Sequence, residues 1–313
     1  MIKWGMIGLG NIANDFAKVI IKENGIIDGI ATRKYEKAKD FAKDYNVKTI
    51  FESPIELIKS KEIDIIYIST PNNTHFEYIK EALLNGKHVL CEKAITLNIE
   101  ELEEVYKIAD EKELILAEAM TIFNMPLYRY IKENYIEKLG SLKIQQISFG
   151  SKKPYDKENR FFNFKLGGGA MLDIGTYAIS MARVFLSSEP TEILSIVNKA
   201  ETGVDDISTI ILKNKENELT TINLSFTAKM PKRAVIGFEN GYIEVEDYPR
   251  ADTAKIVYSD GSSEIVTYGA SNEALNYEFK MMNEAIINKN KKITSIEMTK
   301  DVIKIMTNIL KKN

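Results

Sequence analysis

The sequence predicts an α/β domain built on a parallel sheet, followed by an α+β domain with a large, open, mostly antiparallel sheet. Three observations carry that reading. Residues 1–120 alternate unbroken apolar runs with amphipathic helical patterns, residues 190–267 hold strand-like segments in series, and 313 residues are more than one core normally encloses.

In the first stretch "IKWGMIG" is followed by "NDFAKVIIKE", "IIDGIA" by "KYEKAKDFAKDY", "DIIYIST" by "THFEYIKEALLNG" and "HVLCE" by "IEELEEVYKIADEK"; "LILAEA" closes the series. Strands that are apolar throughout are buried on both faces, and helices between them make the sheet parallel. Such a sheet binds ligands beyond the carboxyl ends of its strands. After residue 120 the rhythm changes. A helix over "LYRYIKENYIEKL" leads into "LKIQQISFGSKK", and three glycines introduce the apolar helix "AMLDIGTYAISMARVFL". The segments "EILSIVNKA", "DDISTIILK", "LTTINLSFTA", "RAVIGFE", "GYIEVED", "TAKIVYS" and "SEIVTYG" come next, with hairpin turns at Asn240-Gly241 and Asp260-Gly261. Helices at about 272–288 and 296–311 end the chain. The domains are therefore set at 1–120 and 121–313, with the C-terminal helix able to pack back on the first. A broad sheet face without helices of its own chain is a place for self-association, as a homodimer or homotetramer.

Composition narrows the function classes. The apolar fraction of 44% and charged fraction of 28% are ordinary for a globular protein. A net charge of −3 offers no basic footprint for nucleic acid or a membrane surface, and no apolar run is long enough to span a bilayer. The start, "MIKWGMIGLG", lacks the shape of a signal peptide, and the single cysteine, Cys91, allows no internal disulfide, so a reducing cytoplasm is expected. Two histidines and one cysteine make no zinc site of the usual kind, so no metal is expected.

The first strand runs into Gly8-Leu9-Gly10-Asn11-Ile12-Ala13, a GxGxxA that opens a helix. Gly8 suits the tight turn, Gly10 lets a pyrophosphate approach the backbone, and Ala13 lets helix and strand pack closely. The helix N-terminus offers free N–H groups and positive dipole. With a second strand about twenty residues on, this is a dinucleotide-binding pattern. Gly8, Gly10, Asn11 and Ile12 are its expected contacts. An acid at the end of the second strand would hold the ribose hydroxyl of NAD, but the sequence has Ala31-Thr32-Arg33-Lys34. Thr32 can donate a hydrogen bond and Arg33 offers a planar fork suited to a 2′-phosphate. NADP is therefore favoured over NAD, against the plainer reading of Arg33 and Lys34 as the wet start of the next helix.

The buried strand "HVLC" ends in Glu92-Lys93. An isolated Glu-Lys pair reads as a solvated turn, yet this one stands at the strand end where a nicotinamide would lie. Asp173 and Tyr177 sit four residues apart on one expected helix, so they share a face. A tyrosine can pass a proton if a nearby cation stabilises its phenolate, and Lys93 is such a cation. Taken alone, the pair reads more simply as a core tyrosine whose hydroxyl bonds Asp173.

Together, "GLGNIA" at 8–13, "STPNNTH" at 69–75, "CEKA" at 91–94 and "GGGAMLDIGTY" at 167–177 resemble the glucose-fructose oxidoreductase / inositol dehydrogenase / rhizopine-catabolism family (Gfo/Idh/MocA). "ETGVDD" at 201–206 and Tyr177 resemble its branch of dimeric dihydrodiol dehydrogenases and NADP-dependent D-xylose 1-dehydrogenases. The resemblance covers nearly the whole chain. It implies a Rossmann domain followed by a substrate-binding and oligomerisation domain, in an NAD(P)-dependent oxidoreductase of sugars and other polyols. It also implies roles: Lys93 as the catalytic lysine, Asp173 as the substrate-binding aspartate and Tyr177 as the general acid/base. Thr70, Pro71 and Asn72 would lie along the nicotinamide, with His75 in a first helical turn nearby and Glu92 among the cofactor residues.

Two departures stand out. The family's proline after the lysine is Ala94 here, so the turn is expected to lose a φ restraint and a cis bond. "TIFNMP" at 121–126 keeps Pro126 but has Thr121 and Phe123 where the branch often carries Trp and Arg. Among other residues, His88 reads as an exposed strand start, Trp4 as core, and Asp205-Asp206 as a turn before a strand. Arg160, ahead of the glycines, is either a surface arginine or a ligand for a substrate oxygen. The leading function is hydride transfer between NADP(H) and a sugar-like substrate. A cofactor-bound sensor that has lost turnover and a sugar-nucleotide or deoxysugar enzyme are the alternatives.

Overall fold

A computed structural model describes residues 1–32 and 35–312, so the expectations at Arg33 and Lys34 lie outside the described residues. The chain divides into two compact units: residues 1–120 with 275–296, and residues 121–274 with the chain from Glu297 onward.

In the first unit, β1 (Lys3–Ile7), β2 (Ile26–Ala31), β3 (Thr49–Phe51), β4 (Ile65–Ile68), β5 (His88–Glu92) and β6 (Leu116–Ala119) form, among the described residues, one six-stranded sheet in the order β3-β2-β1-β4-β5-β6. Every pairing is parallel. The connections carry α1 (Asn11–Lys22), α2 (Tyr35–Asp44), α3 (Pro54–Lys59), α4 (His75–Leu84) and α5 (Ile99–Glu111). Strand order reverses between β1 and β4, which opens a crevice at the carboxyl ends of those strands. β3 and α3 were not expected. Three half-buried residues carry no period to read, but Ser53-Pro54 and Glu56 were a signal: the Ser53 hydroxyl accepts from Glu56 N and Pro54 takes the first helical position.

The second unit begins with α6 (Thr121–Asn124), α7 (Pro126–Asn134) and α8 (Ile136–Leu139) and continues into β7 (Leu142–Gly150). A loop and a glycine run lead to α9 (Thr176–Phe185), after which come β8 (Pro190–Lys199), β9 (Asp205–Asn214), β10 (Leu219–Ser225), β11 (Met230–Phe238), β12 (Gly241–Glu246), β13 (Thr253–Tyr258) and β14 (Ser263–Thr267). Among the described residues these make an eight-stranded sheet in the order β14-β13-β12-β11-β7-β10-β9-β8. Only β7 and β10 pair in parallel. α9 covers the inner face, where Gln145 Nε2 donates to Ala182 O at 3.2 Å. The outer face keeps an apolar row in register: Leu219 opposite Ile144, Ile144 opposite Gly237, Gly237 opposite Tyr242. Leu194 opposite Ile211 begins a second. Leu194 is 64% and Ile196 77% exposed, which is unusual for large aliphatic side chains.

Two helices close the chain, α10 (Ala274–Ile287) and α11 (Ile296–Lys312). Sequence reading put residues 275–296 with the second domain. In the structure Phe279, Met282 and Ala285 are buried in the first unit's core, and the Phe279 ring lies 5.5 Å from Trp4. α11 belongs to the second unit, where Asp301 takes Arg183 Nη2 at 2.9 Å. Among the described residues no helix is long and apolar enough to cross a membrane.

Candidate active site

The first unit brings Gly8, Thr32, Thr70 and Lys93 to one edge of its sheet, because each follows or ends a parallel strand. Gly8 has φ +88, and a Cβ on it would stand 2.7 Å from the Ser69 carbonyl oxygen. Its N–H donates to Ala31 O at 3.2 Å and its carbonyl accepts from Ser69 Oγ at 2.9 Å, so the turn is stitched to both neighbouring strands. Gly10 differs. It caps α1 with φ −83 and ψ −171, and a Cβ on it would meet no atom within 4 Å. The chain's own packing does not require a glycine there, whereas a phosphate approaching the backbone does. No side chain caps α1 and no acid stands in its first turn, so its leading N–H groups face outward as an anion would need. These residues fit a dinucleotide. Thr32 is half-buried where β2 ends.

Thr70 and Asn72 stand where β4 ends, and the Thr74 hydroxyl donates to Thr70 Oγ1 at 2.7 Å and Pro71 O at 2.8 Å. His75, expected as a cofactor neighbour, is fully buried beneath them. Its Nδ1 lies 2.9 Å from Ala94 O and its Nε2 2.8 Å from Thr70 O. Its ring therefore spans the Thr70 segment and the turn after Lys93. Burial pushes its pKa below the ordinary value, with the carbonyl contacts opposing. A neutral imidazole has one N–H and donates to one of these carbonyls at a time.

Glu92, expected with the cofactor residues, accepts the Tyr67 hydroxyl at 2.5 Å. That phenol is held well above its usual range, by burial first and the Glu92 charge second. Beyond Lys93, Ala94 is buried, with its carbonyl held by His75, while Ile95 N donates to the buried Glu118 at 3.0 Å. The expected loss of a cis bond is thus corrected: the Lys93–Ala94 peptide is cis without proline, with His75 Nδ1 2.9 Å from Ala94 O and Ile95 N bonded to Glu118. The signal for Glu118 was a charge inside the apolar run "LILAEA". His88 is half-buried rather than exposed, with Nδ1 accepting from Ile115 N at 2.9 Å.

In the second unit, Asp173 and Tyr177 lie on one continuous helical stretch that starts with a π-turn, Met171–Gly175, before α9. The first turn thus takes one residue more than the α-helix the i, i+4 spacing implied. Of residues 171–180, Asp173 and Tyr177 are the two that are not buried. The Tyr177 ring packs 6.3 Å from Phe149 and Asp173 Oδ1 lies 4.0 Å from Arg160 Nη2. Thr121 is buried and its hydroxyl donates to Pro249 O at 2.7 Å.

Asp205 is more than a turn residue. Its Oδ2 accepts from Met171 N at 2.7 Å, the first residue of the π-turn. Burial pushes its carboxyl up to about 6, against the lowering effect of the Met171 N–H and Ser208 hydroxyl.

Known proteins share both halves. Residues 2–120 match an oxidoreductase family with an NAD-binding Rossmann fold, and residues 135–244 match the GFO/IDH/MocA C-terminal domain. The trans-1,2-dihydrobenzene-1,2-diol dehydrogenase of Xenopus laevis is 31% identical over 260 residues, 82% of this chain and 78% of that protein. Its Mus musculus counterpart is 26% identical over 253 residues, 78% of this chain and 74% of that protein. Among solved structures, levoglucosan dehydrogenase in complex with NADH and levoglucosan aligns with a TM-score of 0.88 at 18% identity, covering 99% of this chain and 96% of that one. A 3-ketoreductase from Actinomadura kijaniata, in complex with NADP and TDP-benzene, aligns with a TM-score of 0.85 at 21% identity, covering 98% and 95%. These two share the fold.

Proposed function

The chain belongs to the Gfo/Idh/MocA family of oxidoreductases, and from that premise we propose that it interconverts a carbinol and a carbonyl on a sugar, polyol or related substrate. We place NADP(H) ahead of NAD(H) as its cofactor, because the end of β2 offers Thr32 and no acid over residues 31–34. When bound, the nicotinamide supplies or accepts the hydride. Gly8, Gly10, Asn11 and Ile12 would hold the pyrophosphate, and Thr70, Pro71 and Asn72 would flank the nicotinamide.

The proton is the work of this chain. In the oxidising direction the Tyr177 phenolate takes the proton of the substrate hydroxyl; in the reducing direction the phenol returns it to the substrate oxygen. The family pattern gives Lys93 the role of the cation that makes such a phenol acidic. Asp173 accepts from a neighbouring hydroxyl and fixes which carbon reacts. The carrying observation is the pattern at 171–180, where only an acid and a tyrosine are partly exposed on an otherwise buried helical stretch. A core-packing role would bury both.

A second reading, a sugar-nucleotide substrate, draws on the loop before the glycines. Lys152, Lys153, Lys157, Arg160 and Lys165 outnumber Asp156 and Glu158 there, in a chain whose net charge is −3, and Arg160 reaches Asp173. A second copy of the chain on the outer sheet face, covering Leu194 and Ile196, is the partner we infer. The buried, single Cys91 suits a reducing cytoplasm.

The test is a panel of sugars, polyols, dihydrodiols, dicarbonyls and nucleotide sugars with NADP+ or NADPH, read at the nicotinamide absorbance for wild type and Tyr177→Phe. The best substrate should lose turnover roughly 10²–10⁴-fold in the variant, with cofactor affinity unchanged. Near-normal turnover in Tyr177→Phe would show that the tyrosine only packs.

A further inference from the structure

We propose that Asp205 is a positioning residue for the reaction: its carboxylate clamps the start of the turn that carries Asp173 and Tyr177, and Gly169 is a glycine so that this carboxylate can enter. The inference rests on reading Asp173 and Tyr177 as the residues that handle substrate.

Three observations converge on the clamp. Asp205 comes from the start of β9, 34 residues along the chain from Met171, and its Oδ2 takes the Met171 N–H at 2.7 Å in a buried setting. Its Oδ1 occupies the space a side chain on Gly169 would need, only 2.3 Å from where the Cβ would stand, and Gly169 has φ +118. Gly168 is equally constrained: a Cβ there would lie 2.8–2.9 Å from the carbonyl oxygens of Arg160, Phe161 and Asn163. The glycine run is therefore wound against its own preceding loop on one side and against Asp205 on the other.

The use of the clamp lies in the turn it opens. Ala170 precedes the π-turn and provides no side-chain cap. The five residues Met171–Gly175 then take the π form, which is rare, and which sets the direction of Asp173 relative to Tyr177 on α9. A turn of this kind is retained when its surroundings determine it, and Asp205 fixes its first N–H. A charged acceptor makes a shorter and stronger bond to that N–H than a neutral one. Burying a carboxylate costs stability even with the Met171 N–H and Ser208 hydroxyl as partners, so its presence fits a task in the site rather than in the fold.

The experiment uses the full chain and the best substrate from the panel, comparing Asp205→Ala, Asp205→Asn, Gly169→Ala and Tyr177→Phe. Steady-state kinetics give kcat and KM, NADPH fluorescence gives the cofactor Kd, and circular dichroism reports folding. Asp205→Ala should lose kcat about 100-fold, the size of loss that a misplacement of about 1 Å brings. Its NADPH Kd should stay within about twofold of wild type, because the glycine turn lies in the other unit. Asp205→Asn keeps an acceptor for Met171 N and should recover kcat to within about tenfold of wild type. Gly169→Ala should resemble Asp205→Ala, since its Cβ displaces the carboxylate. A folded Asp205→Ala with wild-type kcat and KM overturns the inference while leaving the tyrosine reading intact if Tyr177→Phe is inactive. Should Asp205→Ala not fold, wild-type kcat in Gly169→Ala, or an Asp205→Asn protein with no more turnover than Gly169→Ala, overturns it. Normal turnover in Tyr177→Phe overturns both readings together.

Discussion

Two glycines in one turn should answer to alanine in opposite ways. Gly10 already has backbone angles that any residue adopts, φ −83 and ψ −171, and its Cβ would meet nothing within 4 Å. Gly10→Ala should therefore stabilise the fold by about 0.4–1 kcal/mol, through the unfolded chain's lost freedom. At roughly 2–4 °C per kcal/mol for a domain of this size, Tm rises by about 1–4 °C. The same methyl group stands before the open N-terminus of α1, where phosphates must approach the backbone, so NADPH affinity should fall at least about tenfold, or 1.4 kcal/mol. Gly8 has φ +88, which costs an L-residue about 1–2 kcal/mol, and its Cβ would stand 2.7 Å from a backbone oxygen that cannot swing aside. Gly8→Ala should cost about 2 kcal/mol or more and lower Tm by roughly 4–8 °C. The chain's one tryptophan makes the assay selective, since Trp4 is fully buried between Phe16 and Phe279 in the first unit. Its fluorescence against temperature follows that unit, and NADPH titration gives the affinity. A Gly10→Ala protein that binds NADPH like wild type would refute the reasoning, as would one that melts several degrees lower.

Two further predictions concern assembly and pH. Leu194→Asp with Ile196→Asp puts two charges on the open sheet face and should reduce a dimer or larger assembly to monomers by light scattering; a wild-type protein that is monomeric at micromolar concentration would contradict the proposed interface. For Asp205, a folded pKa of about 6 lies above the value of about 3.9 for an unfolded aspartate. The folded state thus binds the proton more tightly, so this group's contribution is most favourable below about pH 4 and is lost as pH rises through 6, by about 3 kcal/mol in all. Relative to wild type, Asp205→Asn should gain stability between pH 4 and pH 6 and hold a constant advantage above pH 7. Denaturant midpoints at a series of pH values measure this, and a gap that does not change with pH rules it out.

Apolar runs were enough to read the first sheet because burial on both faces writes itself into every residue of a strand. β3 escaped because three half-buried residues have no period. The helix at α10 was visible from its periodicity, but a period says only that one face is buried. It does not say which core takes it, and Phe279 packs on Trp4 rather than on its neighbours in sequence. Only with the family resemblance beside their positions did Lys93, Asp173 and Tyr177 stand out as candidates. The groups that hold them in place did not. Ala94 is held by His75 from 19 residues away, Ile95 by Glu118 from 23, and Met171 by Asp205 from 34. Each of these ties joins a backbone N–H or carbonyl, which every residue has, to one buried polar side chain. A sequence therefore shows the side chain and hides its partner. The usable trace is a polar residue in a buried place, as with Glu118 in "LILAEA" and His75 at the start of α4, and such residues are where the support of a site should be sought first.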